Sequence, residues 1–384
     1  MPNISDNMDG SFKIGRLFGI PVLIHFTFLL IIPLFAWVIG SDIEFTVEMV
    51  RNVFHVSIDD RYILSGFIPY FLGATVAIGL FIGVFIHELA HSLIALRSGI
   101  RIDSITLLFF GGVAAIEEQE PDPGTELVMA LAGPLTSLAI GLISGVLVYV
   151  VHRFVDSSAE AGVLIYIFGY LAILNILLFA FNLLPAFPMD GGRVLRAYLA
   201  TRMPLHKATS IASSVGKGFA VLFGLVGLIL FSPILILIAF FIYIGAGQES
   251  MVTRYNFLLK DVTVGQIMSR PVVEVPPRMP LSEVLSLMYQ TKHLGFPVTE
   301  LGHLVGIITL TDLARTPVLD RDAMQVRDVM SRDVVVLPPH APVMDALRIM
   351  TRQDIGRIPV MAEEKIIGIV TKSDIFTVIE LREV

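Results

Sequence analysis

The sequence predicts a multi-pass α-helical membrane domain followed by a smaller α/β domain built from an internal repeat. Three observations carry this expectation. Of 384 residues 55% are hydrophobic and only 16% charged, whereas soluble chains carry about a quarter charged. The long apolar runs are confined to residues 19–247, and residues 256–384 alternate apolar and charged positions. Shifting residues 264–313 by 62 positions lays them without a gap on 326–375.

The N-terminus, MPNISDNMDGSFKIGR, is polar. The apolar run after it is too long for a signal-peptide core and no small-residue cleavage site follows, so it is expected to remain as an anchor. Six stretches approach the roughly 20 apolar residues a spanning helix needs: 19–40, 68–96, 126–151, 162–184, 210–231 and 233–249. Ser232-Pro233 alone separates the last two, so five spans remain an alternative to six. With six spans, one side receives ten cations, from Lys13 and Arg16 to Arg254 and Lys260, and the other only Arg51, Arg61 and Arg153. The cation-rich side is expected to be cytoplasmic, with both termini and the repeat domain there. Between the second and third spans, Ile105–Ile116 is apolar and β-prone around Gly111-Gly112. It reads as a re-entrant hairpin or edge strand, or as a buried loop.

The second run contains FIGVFIHELAHSLIALRSG. Residues four apart share a helix face, so His87 and His91 can bind one ion, with Glu88 beside it to deprotonate a water. Three uncompensated polar groups in an apolar helix would be costly, and Zn²⁺ explains them. A catalytic zinc needs a third protein ligand and an open position. Asp190, in NLLPAFPMDGGR, is the only carboxylate at the end of the fourth run, and prolines and glycines interrupt the helix there. It is either that ligand or a solvated helix cap; beside HELAH the ligand reading prevails. His25 reads as a hydrogen-bonding group, and Gly133-Pro134 as a place of close helix packing.

HELAH, FFGGVA, LAGPLTS and NLLPAFPMDGGR, in this order, resemble the site-2 protease family of intramembrane zinc metalloproteases, across the whole membrane half. The resemblance implies zinc ligation by His87, His91 and Asp190, a general base in Glu88 and a transmembrane protein substrate. It also places Asn182 beside the metal, where it would hold the scissile carbonyl or the developing oxyanion; otherwise Asn182 serves local carbonyls. One departure is Met189, where the family usually has Leu. An extended substrate would pair with the strand at Gly111 and Gly112.

In the repeat, VGQIMSRPVVEVPP falls on VRDVMSRDVVVLPP and GIITLTD on GIVTKSD. Each copy reads strand–helix–strand–strand–helix and resembles a cystathionine-β-synthase-type (CBS) domain. The resemblance implies an adenine nucleotide (ATP, ADP or AMP) as regulator, with Thr309 and Asp312, and Thr371 and Asp374, meeting phosphate and ribose. It also implies a homodimer through the CBS pair. The plainer role of these residues is helix capping. The expected boundaries are a membrane domain at 1–247, a linker at 248–260, and CBS copies at 261–320 and 321–384.

A net charge of −7 and the lack of a basic stripe argue against nucleic acid. With no cysteine, disulfides and thiolate metal sites are excluded. The competing function is an ion transporter or channel regulated by its CBS pair, with His87, Glu88, His91 and Asp190 lining an ion path.

Overall fold

The structure is a computed structural model describing residues 10–108, 111–116, 121–155 and 158–383. It divides into two compact units, Met1–Met251 and Val252–Val384.

The first unit opens with a hairpin, β1 (Ser11–Leu17) and β2 (Ile20–His25), turning at Phe18 and Gly19, both with positive φ. Residues 19–25, expected as the start of the first span, are therefore mostly strand. The helix α1 begins only at Phe26 and ends at Ser41. His25 caps it, its Nδ1 2.8 Å from Thr27 Oγ1. At 16 residues α1 rises about 24 Å, short of a bilayer core of about 30 Å. It continues after a 74° bend as α2 (Ile43–Phe54).

Then come α3 (Ile68–Arg97), β3 (Ile102–Leu108), β4 (Gly111–Ile116), α4 (Pro123–Phe154), α5 (Ala159–Asn182), α6 (Asp190–Ala200), α7 (Leu205–Ile229) and α8 (Pro233–Leu259). Among the described residues five of these helices are long and apolar enough to span a membrane, or six if the bent α1–α2 pair is one span. Residues 248–260, expected as a linker, fall almost wholly within α8.

The strands form one sheet in the order β1-β2-β3-β4, with β2 and β3 parallel. Gly111 and Gly112 lie in the edge strand β4, opposite Leu108 and Leu107. They are thus strand residues; positions 109–110, between β3 and β4, lie outside the described residues.

The second unit holds α9 (Val264–Ile267), α10 (Leu281–Thr291), β5 (Gly295–Glu300), β6 (His303–Thr309), α11 (Leu310–Ala314), α12 (Val326–Val329), α13 (Val343–Arg352), β7 (Arg357–Ala362), β8 (Lys365–Thr371) and α14 (Lys372–Glu383). The two hairpins share one register: Gly295 faces Thr309 and Arg357 faces Thr371, each with a bulge three residues on. The sequence copies are not the spatial ones, however. Ser269, ahead of the first hairpin, bonds to Ile369 in the second, and Ser331 bonds to Ile307 in the first. Val264 and Met268 accordingly pack with Val343, Ile358 and Val370, while Val326 packs with Val275, Phe296 and Ile308. Gly306 and Gly368 allow this exchange, because a Cβ on either would overlap Met330 Sδ or Met268 Sδ.

Candidate metal centre

The site is assembled by three elements. His87 and His91 project from one face of α3, and Asp190 is the first residue of α6. His87 Nε2 lies 3.1 Å from Asp190 Oδ2 and 3.1 Å from His91 Nε2, and His91 Nε2 lies 3.2 Å from Asp190 Oδ2. The His87, His91 and Asp190 side chains are only 6%, 12% and 13% exposed. Among the described residues this is the one group of three or more such side chains arranged to hold a metal ion.

The hydrogen bonds behind the imidazoles decide what these atoms can bind. His91 Nδ1 lies 2.7 Å from the Met129 carbonyl, which can only accept. The ring hydrogen therefore sits on Nδ1, and Nε2 offers its lone pair. His87 Nδ1 is held by Ser137 Oγ at 2.9 Å. Two imidazole nitrogens and a carboxylate oxygen thus converge where a single proton can serve only part of the set. Ligand atoms on one face of a tetrahedron with bonds of about 2.0 Å are about 3.3 Å apart, close to the spacing here. The residues fit zinc.

Both imidazole partners come from α4. Gly133 lies between them in sequence, and a Cβ there would overlap Nε2 of both histidines. The close packing expected at Gly133 therefore makes room for the imidazoles themselves. Pro134 leaves the carbonyl of Ala130 without its usual helical donor in the same stretch. At Asp190 the two following glycines have a similar use. Side chains at Gly191 and Gly192 would overlap the backbone of Leu183–Phe187, so α6 can fold back closely on the segment leading into it.

Glu88 follows His87 on α3 and is half-buried. Asn182 ends α5 and is half-buried; its side chain is not among the groups bonded to the histidines or Asp190. In the second unit, Thr309 and Asp312, and Thr371 and Asp374, form capping boxes. Asp312 Oδ2 accepts from Thr309 N and Oγ1 at 2.8 and 2.7 Å, and Asp374 Oδ2 accepts from Thr371 N and Oγ1, both at 2.8 Å.

Several contributors have no sequence signal of their own. Ser137 and the Met129 carbonyl matter because α4 packs on α3. Arg357 is another. It is half-buried, which lowers its pKa, and its guanidinium donates to the Gly295 carbonyl at 2.9 Å with no carboxylate paired to it among the described residues.

Comparison with known proteins fits this architecture. Peptidase family M50 matches residues 75–155 and 143–223, and the CBS domain matches 264–318 and 326–381. A zinc metalloprotease of Methanocaldococcus jannaschii is 35% identical over 379 residues, covering 98% of this chain and 99% of its own. Stage IV sporulation protein FB of Bacillus subtilis is 30% identical over 144 residues, 37% of this chain and 46% of its own. The solved site-2 protease from M. jannaschii is 35% identical, covers 62% of this chain and 95% of its own, and superposes with a TM-score of 0.41. The chain belongs to peptidase family M50, the site-2 proteases: it is a multi-pass zinc metalloendopeptidase with a C-terminal CBS pair. Membership of that family decides against the ion-transporter alternative.

Proposed function

We propose that this protein hydrolyses a peptide bond within or near the transmembrane segment of a membrane protein, using zinc held by His87, His91 and Asp190. The observation that carries this reading is the convergence of three side-chain atoms, 3.1–3.2 Å apart, with Glu88 next to His87 on the same helix. When bound, zinc supplies Lewis acidity toward a peptide carbonyl and lowers the pKa of a water toward about 7.

The protein's own groups do the rest. Glu88 takes the proton from the attacking water as the water oxygen bonds to the scissile carbonyl carbon, and returns it to the leaving amine as the C–N bond breaks. Asn182 holds the scissile carbonyl or the developing oxyanion. The edge strand at Gly111 and Gly112 takes an unwound substrate segment by strand addition, which helps explain why a helical substrate must open first.

The CBS pair binds an adenine nucleotide (ATP, ADP or AMP) and joins two copies into a homodimer. Thr309 and Asp312, and Thr371 and Asp374, contact the ligand. Arg357, half-buried and with no carboxylate paired to it among the described residues, supports a phosphate-bearing ligand. The cation distribution supports a cytoplasmic location for this half and for both termini, in a cell membrane.

The test is zinc content together with cleavage of a model transmembrane substrate, in wild type and Glu88→Gln. The expected result is about one zinc per chain in both, with cleavage falling by about 10²–10⁴ in the variant. Cleavage by Glu88→Gln at the wild-type rate would remove the base assignment. Equal cleavage with and without millimolar ATP, ADP or AMP would remove nucleotide control.

A further inference from the structure

A second set of charges is gathered inside the first unit, away from the metal ligands. Arg196 of α6 donates from Nε to Glu126 Oε1 of α4 at 2.7 Å, and its Nη2 donates to the same oxygen. Its Nη1 donates to Glu249 Oε1 of α8 at 2.6 Å. The Arg196, Glu126 and Glu249 side chains are 15%, 5% and 34% exposed. The guanidinium also lies over the buried Phe187 ring, 5.2 Å from its centre. Withdrawing three charges from water is a poor way to gain stability. A planar fork held on two sides does fix direction, however.

What it fixes is legible along α4. Glu126, Met129, Gly133 and Ser137 follow one another at helical spacings of three and four, so they share a face. The first holds Arg196, the second holds His91 through its carbonyl, the third abuts both imidazoles, and the fourth holds His87. One stripe therefore orients both histidines and grips the helix that begins with Asp190. Arg196 lies six residues along that helix, about 9 Å from its start. The third contact comes from α8, which also packs on the segment leading to Asp190: Gly245 lies against Pro188, and Ala246 clusters with Phe187.

We propose that Arg196 is a positioning residue for Asp190. Through Glu126 it registers α6 on the helix that orients the histidines, and through Glu249 it makes that register depend on α8. The inference rests on His87, His91 and Asp190 being the ligand set.

The test uses the full-length protein in detergent as wild type, Arg196→Gln, Arg196→Lys, Glu249→Gln and, as a control, Glu48→Gln, which removes the Glu48–Arg51 ion pair of α2. Three quantities are measured: zinc affinity by chelator competition, the visible bands of the Co²⁺-loaded protein, and Tm of the metal-free protein. Arg196→Gln is expected to weaken zinc binding by about 10–100-fold and to alter the cobalt bands, as loss of an outer-shell contact does. Arg196→Lys keeps the charge without the fork and recovers part of the affinity. Glu249→Gln weakens binding by about 10-fold, and Glu48→Gln changes nothing. Should Arg196→Gln fail to fold, Glu249→Gln carries the test, since that end of the triad is the more exposed. Wild-type zinc affinity and cobalt bands in the folded variants, whether or not Tm falls, overturn the positioning role and leave the ligand set standing. No zinc uptake by wild type would instead overturn the ligand set, and this proposal with it.

Discussion

The chemistry-bearing residues of the two units stand in opposite states of satisfaction. At His87, His91 and Asp190 two imidazole nitrogens and a carboxylate oxygen are held at mutual distances of 3.1–3.2 Å, with the outer nitrogens of both imidazoles already committed to α4. At Thr309–Asp312 and Thr371–Asp374 hydroxyl, carboxylate and backbone N–H satisfy one another. The first arrangement is one that a bound cation would complete. The second is complete as a helix cap, so a ligand must compete with it. A difference of this kind separates a resident cofactor from a regulator that comes and goes, and it can be tested from either side.

The largest effect is expected at Asp190. Asp190→Ala removes one corner of the set, and zinc content should fall toward zero with cleavage at background. Retention of about one zinc per chain would require a different third ligand. Gly133→Ala comes next and breaks the contrast without touching a ligand. The added methyl group must occupy the space of both Nε2 atoms. Zinc affinity should therefore fall at least as far as for loss of an outer-shell partner, about 10–100-fold. Wild-type affinity in this variant would mean that α4 can move away from α3 at little cost. Ser137→Ala is milder, since it frees His87 Nδ1 while leaving space unchanged. A loss near the lower end of that range is expected, about 10-fold, by the same chelator competition.

How much of this could be read from the sequence varied with how local the signal was. His87, Glu88 and His91 lie within five residues of one helix, and Asp190 stands alone among prolines and glycines, so the three side chains that the structure brings together were recognisable. The stripe of Glu126, Met129, Gly133 and Ser137 was not, because its meaning depends on which face of α4 meets α3. Arg196 carries no signal beyond its positive charge, for the same reason. The first hairpin was missed because Ile20–His25 runs directly into the apolar helix after it, and a continuous apolar run carries no period. Only Gly19 hinted at a turn. In the second unit the 62-residue repeat was plain, and the two hairpins keep it in register. The exchange of lead-in segments left no mark, because both copies carry the same Met-Ser pair and glycine, and either pairing satisfies the same pattern.

The smallest predicted effect sharpens the comparison within the repeat. Both Asp312 and Asp374 close a capping box, and losing a cap costs about 1 kcal/mol. Asp374 has one further duty, since its Oδ1 accepts from Ser269 Oγ at 3.2 Å and so ties the second copy to the lead-in of the first. Asp374→Ala should therefore cost more than Asp312→Ala by about one hydrogen bond, roughly 0.5–1.5 kcal/mol. Amide hydrogen exchange in the full-length protein reads this locally. Asp312→Ala should loosen the first turn of α11 alone, whereas Asp374→Ala should loosen α14 and also the Ser269 amide, which donates to Ile369 at 2.8 Å. Equal losses confined to each variant's own helix would mean that the exchanged segments are held by Val264 and Met268 packing and not by this bond. The exchange would then be a matter of core shape, and the two copies energetically alike.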